Sequence, residues 1–152
     1  MKPSLLKIDS YVFKKIHLEA FDADEPKSWH VESKVAVSRR TDNSRHWLVE
    51  LTVMLKGDAS TSPYVGEFIV AGRFHIEDEK MSETGALDLL NVNGPSILYS
   101  AVREIVLHLT SRGPHHAVYL PSITFIDRKE PKTKQDQQKP KDSKEPAEQA
   151  KT

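Results

Sequence analysis

Alternation between apolar and polar residues is the feature that most constrains how this chain folds. It is clearest over residues 47–55, where every second residue from Trp47 to Leu55 is apolar. Successive side chains of a strand point to opposite faces, so this period of two predicts a half-buried strand. Related alternation predicts further strands over residues 11–20, 29–37 and 65–76.

The first predicted strand changes its alternation partway along. Phe13 and Ile16 are both apolar, but they are separated by an odd number of positions and would point to opposite faces of a regular strand. One extra residue inserted between them restores both to the same face. We therefore predict a β-bulge near residues 14–15.

Short polar segments join the four predicted strands, at residues 22–28, 41–44 and 59–63. Turn-forming residues dominate these segments. Consecutive strands with short connections pair antiparallel, because a parallel pair needs a much longer crossover. The first half of the chain therefore predicts a four-stranded antiparallel sheet.

The second half predicts two helices. Residues 81–90 have one apolar side, and a main helix begins at Pro95, because proline suits the first helical turn. Gly113 suits the position after the helix end, and Pro114 prevents continuation. The fold class predicted is α+β, with helices packed on one face of the sheet. Apolar residues on both faces of the fourth strand exceed what one such domain buries, which favours oligomerisation or the binding of another chain.

Composition limits the possible functions. Lysine and arginine total 22 and so do aspartate and glutamate, so net charge favours neither nucleic acid nor an anionic membrane. The absence of cysteine excludes disulfides and thiolate chemistry and is compatible with a reducing cytosol. No segment reaches the ~20 apolar residues of a membrane span, and the first residues lack the apolar run of a signal peptide. We expect a soluble, cytoplasmic protein.

The composition changes at residue 127. Residues 127–152 contain no aromatic, Val, Ile, Leu or Met residue and many charges. Such a segment buries too little apolar surface to offset the entropy of ordering it. We predict one folded domain over residues 1–126 and a disordered charged tail over residues 127–152, which acts as a solubilising extension or as a partner-binding tail.

No set of residues predicts a catalytic or metal site. The histidines of the predicted strands, His17, His30, His46 and His75, show no spacing typical of metal ligands. The chain has no glycine-rich phosphate loop and no nucleophile elbow. We expect neither enzymatic activity nor a metal or other cofactor.

A family resemblance is carried by residues 95–125. The ordered positions that carry it are Pro95, Ser96, Ile97, Leu98, Tyr99, Arg103, Glu104, Ser111, Arg112, Gly113, Leu120, Pro121, Ile123 and Phe125. Upstream, Glu19-Ala20, Trp29, Glu32 and residues 66–74 also fall where the family has matching elements. In this order they resemble the SecB family of export chaperones, over roughly residues 8–126.

The resemblance implies a function and an assembly. SecB proteins bind unfolded preproteins and deliver them to the SecA ATPase, without a nucleotide or metal of their own, as a homotetramer built from two dimers. Carried over by position, the client-binding residues are Trp29, Val35, Val37, Phe68 and Val70. The surface that docks SecA maps to Glu19, Val65 and Glu67.

Some features depart from the family pattern. Lys15 stands where the SecA-docking surface would carry an acid, and the chain is neutral where export SecB proteins are strongly acidic. After Phe125 the chain continues into lysine-rich sequence rather than the final amphipathic helix of the family. A SecB-like chaperone dedicated to one partner, such as an antitoxin of a toxin–antitoxin system, is therefore the alternative.

Overall fold

The computed structural model describes residues 4–22, 29–40, 45–57 and 62–126. Most of each predicted connection between strands lies outside these ranges, at residues 23–28, 41–44 and 58–61. The predicted tail, residues 127–152, lies outside them as well.

Four strands are followed by one helix. The elements are β1 (Leu6–Ala20), β2 (His30–Arg39), β3 (His46–Lys56), β4 (Tyr64–Ile76) and α1 (Glu83–Thr110). The strands form one sheet in the order β1-β4-β3-β2, and every neighbouring pair is antiparallel. The predicted antiparallel sheet is confirmed, with β1 and β2 at its edges.

The edge strand β1 departs from a regular ladder in two places. Its register against β4 shifts between Phe13 and Lys15, which is the bulge predicted near residues 14–15. A second shift falls between Ile8 and Ser10 and makes Asp9 the extra residue. The sequence pattern missed it, because β1 begins before the predicted strand. Two bulges allow a long edge strand to keep its apolar residues on one face of the sheet.

The core lies between α1 and the two central strands. We name the sheet face under α1 the inner face and the opposite one the outer face. The inner side chains of the central strands that are 0% exposed are Val49, Leu51, Val53, Phe68, Val70 and Phe74. Those that α1 contributes at 0% exposure are Leu90, Leu98, Val102 and Val106. Each such burial stabilises the fold by about 1.5–3 kcal/mol, so these strands and α1 form the stable centre.

The prediction of two helices was wrong, because α1 is one helix of 28 residues with Pro95 inside it. Ser82 caps its start by accepting a hydrogen bond from Gly85 N at 3.1 Å. The buried face is unbroken from Ala86 to Thr110, and Pro95 is itself buried. Packing along that whole face outweighs the cost of an interior proline, about 3 kcal/mol. Within the described part of the chain, no helix has both the length and the apolarity to cross a membrane.

Gly113 has a different role from the predicted one. The helix ends at Thr110 with Ser111 as its C-cap, and no described glycine has a positive φ. Gly113 N instead donates to Thr110 O at 3.1 Å in the turn that follows. A Cβ on Gly113 would meet the ring of Tyr64, 3.1 Å from its Cζ. Close approach, rather than left-handed backbone, therefore explains the glycine.

Candidate functional site

The inner face of β2 is only partly covered by α1. Val35 is 37% exposed and Ser33 is also exposed, whereas their register partners Leu51 and Val53 on β3 are fully buried. β2 is also an edge strand: β3 pairs with one of its edges, and no described strand pairs with the other. Apolar side chains and open backbone hydrogen-bonding groups therefore occur together along β2.

A groove of about 610 Å³ runs beside this part of β2, and we name it the β2 groove. Its walls are β2, the first half of α1 and the post-helix segment (residues 114–126). The residues that line it are Ser33, Val35, Asp88, Asn91, Val92, Thr124, Phe125 and Ile126. Ligand sites usually measure about 300–1,000 Å³, so the groove can hold part of another chain.

The post-helix segment is fixed to α1 through Tyr99. Its hydroxyl donates to Pro121 O at 2.9 Å, and its ring meets the ring of Phe125 edge-on with centroids 6.1 Å apart. Burial raises the pKa of this phenol, while the charge of Arg103 acts in the lowering direction. The hydrogen bond and the ring contact together position the groove wall that carries Phe125.

The chemistry of the β2 groove suits binding a polypeptide. Its apolar lining consists of Val35, Val92, Phe125 and Ile126. Ser33, Asn91 and Thr124 add side chains that can hydrogen-bond to a peptide backbone. Asp88 is the one ionisable residue of the lining.

The predicted client-binding residues do not meet on one accessible surface. Val35 lies in the β2 groove. Trp29 and Val37 are half-buried and pack against the core. Phe68 and Val70 are 0% exposed beneath α1. A contact between either of these two and another chain would require α1 to leave the sheet.

Sequence reasoning did not identify most of the groove. Asp88, Asn91 and Val92 belong to the region where one helix was expected to end and another to begin. Thr124 and Ile126 lie in the post-helix segment, whose path over α1 depends on tertiary contacts. The available signal is the segment from Leu120 to Phe125, which carries part of the family resemblance, but nothing in the sequence connects it to β2.

The predicted SecA-docking residues do come together, on the outer face. Glu19 lies directly opposite Val65 in the β1–β4 ladder, and Glu67 follows two residues along β4 on the same face. Lys15 forms an ion pair with Glu67. The cluster therefore exists as a surface, but one of its two carboxylates already has a cationic partner.

An antiparallel sheet with one long helix across its centre, and a groove beside an edge strand that no other described strand pairs, defines the protein as an α+β fold with helix on one face. The family model described as "Preprotein translocase subunit SecB" matches residues 6–135. The chain belongs to the SecB family. The match extends past residue 126, where the sequence placed the end of the domain.

Individual relatives agree with that assignment. The chain is 29% and 28% identical over 103 residues to the "Protein-export protein SecB" of Ehrlichia chaffeensis and of Ehrlichia canis. Each match covers 62% of this chain but only 59% and 58% of those proteins, so the chain spans under two thirds of their length.

A solved structure supports the fold. It is a SecB-like chaperone of Mycobacterium tuberculosis in complex with a ChAD peptide from the HigA1 antitoxin, and it superposes with a TM-score of 0.60. The match covers 78% of this chain and 90% of that one at 19% identity. At this identity the likeness establishes a shared architecture.

Proposed function

We propose that this protein is an ATP-independent chaperone that holds unfolded polypeptides in the β2 groove. The observation that carries the proposal is the position of a groove with both apolar and polar lining residues beside a strand edge that no described strand pairs. An extended chain can add backbone hydrogen bonds to β2 while its apolar side chains enter the groove. Unrelated unfolded sequences all have backbone hydrogen-bonding groups and apolar side chains, so the groove can hold many of them. Family membership supports preproteins awaiting Sec export as the clients.

The energetics of such a site favour reversible holding without ATP. Burial of apolar client surface contributes about 25 cal/mol per Å². Ordering the client backbone and side chains opposes it, so affinity stays moderate even when the buried area is large. A client can therefore be released by competition from its own folding or from a partner with a higher affinity for it.

SecA and further copies of this chain are the proposed partners. SecA would dock on the outer face at Glu19, Val65 and Glu67, and the ion pair of Glu67 with Lys15 reduces the negative charge offered there. We therefore expect docking that is weaker and less dependent on salt concentration than an unpaired acidic surface gives. We also propose that the protein assembles as a homotetramer and acts in the cytoplasm.

A chaperone dedicated to one partner, such as an antitoxin, is the second candidate. Two observations favour it: the outer face carries the Lys15–Glu67 pair, and the structural relative from Mycobacterium tuberculosis was solved with an antitoxin peptide. Affinity purification from the native cell separates the candidates. Many preproteins in the eluate support the export role, and one stoichiometric partner supports the dedicated role.

The groove is tested by Val35→Asp against the matched control Ser38→Asp. Both residues lie on β2, but Val35 lines the groove while Ser38 is exposed on the outer face. A carboxylate in the groove should weaken client affinity at least ~10-fold, a loss of about 1.4 kcal/mol. The measurements are fluorescence anisotropy with a labelled unfolded client and light scattering of an aggregating one.

The control decides the interpretation. Ser38→Asp should retain wild-type affinity and suppress aggregation near a one-to-one ratio. Equal affinity of wild type and folded Val35→Asp would reject the groove as the client site. Failure of the wild type with several unrelated clients would reject general chaperone activity and leave the dedicated role.

A further inference from the structure

A cluster of metal-ligating side chains lies on the outer face, away from the β2 groove. Asp9, His46 and His75 each bring one ligand atom to within 4.8 Å of the others. His75 Nδ1 is 2.6 Å from Asp9 Oδ1. The imidazole rings of His46 and His75 have centroids 5.8 Å apart. From this geometry we propose that these three residues form a binding site for a divalent transition metal, with Zn²⁺ as the expected ion.

Strand register creates the cluster. His46 and His75 are directly opposite each other in the β3–β4 ladder, so their side chains share the outer face. Asp9 comes from the neighbouring edge strand, where it is the extra residue of the bulge between Ile8 and Ser10. A bulge re-aims the side chain it carries, and here it brings a carboxylate to His75. Three strands therefore each supply one ligand.

The distances need only a small adjustment. Two ligands of one tetrahedral zinc, each bonded at ~2.1 Å, stand about 3.4 Å apart. Asp9 and His75 are already closer than that, and the cation would replace their hydrogen bond. His46 must approach, and the outer torsion of a histidine ring is soft enough to allow it. Its Nδ1 is buried without a hydrogen-bond partner among the described residues, so no hydrogen bond to that nitrogen has to break.

The surrounding charges favour zinc over harder cations. Nearby cationic side chains face their own acceptors: Lys7 Nζ is 3.7 Å from Glu77, and Arg73 Nε donates to Ser10 Oγ at 3.0 Å. Arg45, beside His46, donates to backbone oxygens of residues 78 and 79. One carboxylate in such surroundings is too little for Ca²⁺ or Mg²⁺, which prefer several oxygen ligands. Two imidazoles and a carboxylate are typical of zinc, with water completing the shell.

Bound metal would fasten the edge strand. β1 contributes Asp9 from one of its two irregular points, while β4 and β3 contribute the histidines. A cation held by all three binds the folded chain and not the unfolded one, so it stabilises the sheet by mass action. We therefore assign the metal a structural role rather than a catalytic one.

The test is zinc titration of the full chain, with any affinity tag removed and after treatment with a chelator. Isothermal titration calorimetry should give one Zn²⁺ per chain. Saturating Zn²⁺ should raise the melting temperature by about 5 °C or more. His46→Gln and His75→Gln should each weaken binding at least ~10-fold and abolish that rise. Co²⁺ in place of Zn²⁺ should give visible absorption bands of low-symmetry coordination, lost in both variants.

His17→Gln is the matched control, since His17 also lies on the outer face of the sheet but outside the cluster. It should bind Zn²⁺ like the wild type. Asp9→Asn provides a third variant should either histidine change prevent folding, which circular dichroism checks. Absence of saturable binding, or wild-type binding by folded His46→Gln and His75→Gln, overturns the proposal. None of these outcomes depends on whether the β2 groove holds a client.

Discussion

Tyr64 connects the turn after α1 to the sheet, and Gly113 lets it do so. The phenol is 4% exposed and its hydroxyl accepts a hydrogen bond from His115 N at 3.2 Å. The same hydroxyl lies within 3.4 Å of Thr110 O. A methyl group on Gly113 would collide with this hydroxyl. One ring position therefore fixes both the residue type at 113 and the start of the post-helix segment.

We expect Gly113→Ala to lower the free energy of unfolding by about 1–3 kcal/mol, as overpacking does. Tyr64→Phe removes the hydroxyl oxygen that the new methyl group would contact. The double variant should therefore be more stable than the sum of the two single losses predicts. Urea unfolding of the four proteins in this cycle measures the coupling. Strictly additive losses would mean that contact with the Tyr64 hydroxyl does not account for the cost of a side chain at position 113.

Phe68 and Val35 show what the sequence could and could not predict about single residues. Alternation assigns each to one face of its strand, together with the apolar residues two positions away, and the structure shows that this face is the inner one. It could not tell that α1 lies over the first and stops short of the second, leaving 0% and 37% of them exposed. Which positions of an inner face stay accessible is decided by where the helix crosses the sheet. That crossing depends on tertiary packing.

At the scale of elements, Pro95 is the informative residue. An interior proline costs about 3 kcal/mol relative to alanine, since it removes one helical hydrogen bond and crowds the preceding turn. Alanine at this position would restore that bond but lose about two buried methylene groups, at ~0.8 kcal/mol each. We therefore expect Pro95→Ala to raise the free energy of unfolding by about 1 kcal/mol, measured by urea denaturation.

Two helices meeting at this point would respond in the opposite way, because proline is favourable at a first helical position. A loss of stability in Pro95→Ala would therefore contradict a continuous α1. Pro114→Ala serves as the control. It lies exposed beyond the helix, and its effect should stay within about 0.5 kcal/mol.

Local signals predicted some elements and not others for physical reasons. The strands and the bulge near Lys14 follow from period-two burial, which each strand displays in its own sequence. The continuity of α1 could not be predicted in this way, because the sequence around Pro95 is compatible both with a first helical turn and with a helix interior. The proximity of Asp9 to His46 and His75 could not be predicted from the sequence either. It needs β4 between β1 and β3, whereas spacing along the sequence separates these residues widely.

At the scale of the whole molecule, the two edges of the sheet differ. β2 borders the groove, whereas β1 carries large exposed apolar side chains on both faces. Tyr11 and Ile16, each 49% exposed, lie on the inner face, and Val12, 61% exposed, lies on the outer face. An open edge strand with such residues is prone to pair with another chain unless something covers it. A second copy of this protein is the natural partner in the homotetramer proposed above, because a two-fold axis can place identical edges together.

Ile16→Asp tests whether β1 forms the contact between two subunits. A charge at the proposed contact should shift the protein from tetramer towards smaller species, which light scattering coupled to size-exclusion chromatography measures at several concentrations. Ser38→Asp, on the opposite edge strand, adds the same charge and should leave the assembly unchanged. A wild-type monomer at all concentrations would reject the tetramer itself. A tetramer that survives Ile16→Asp would place the subunit contact elsewhere, and would leave β1 open for a client or for SecA.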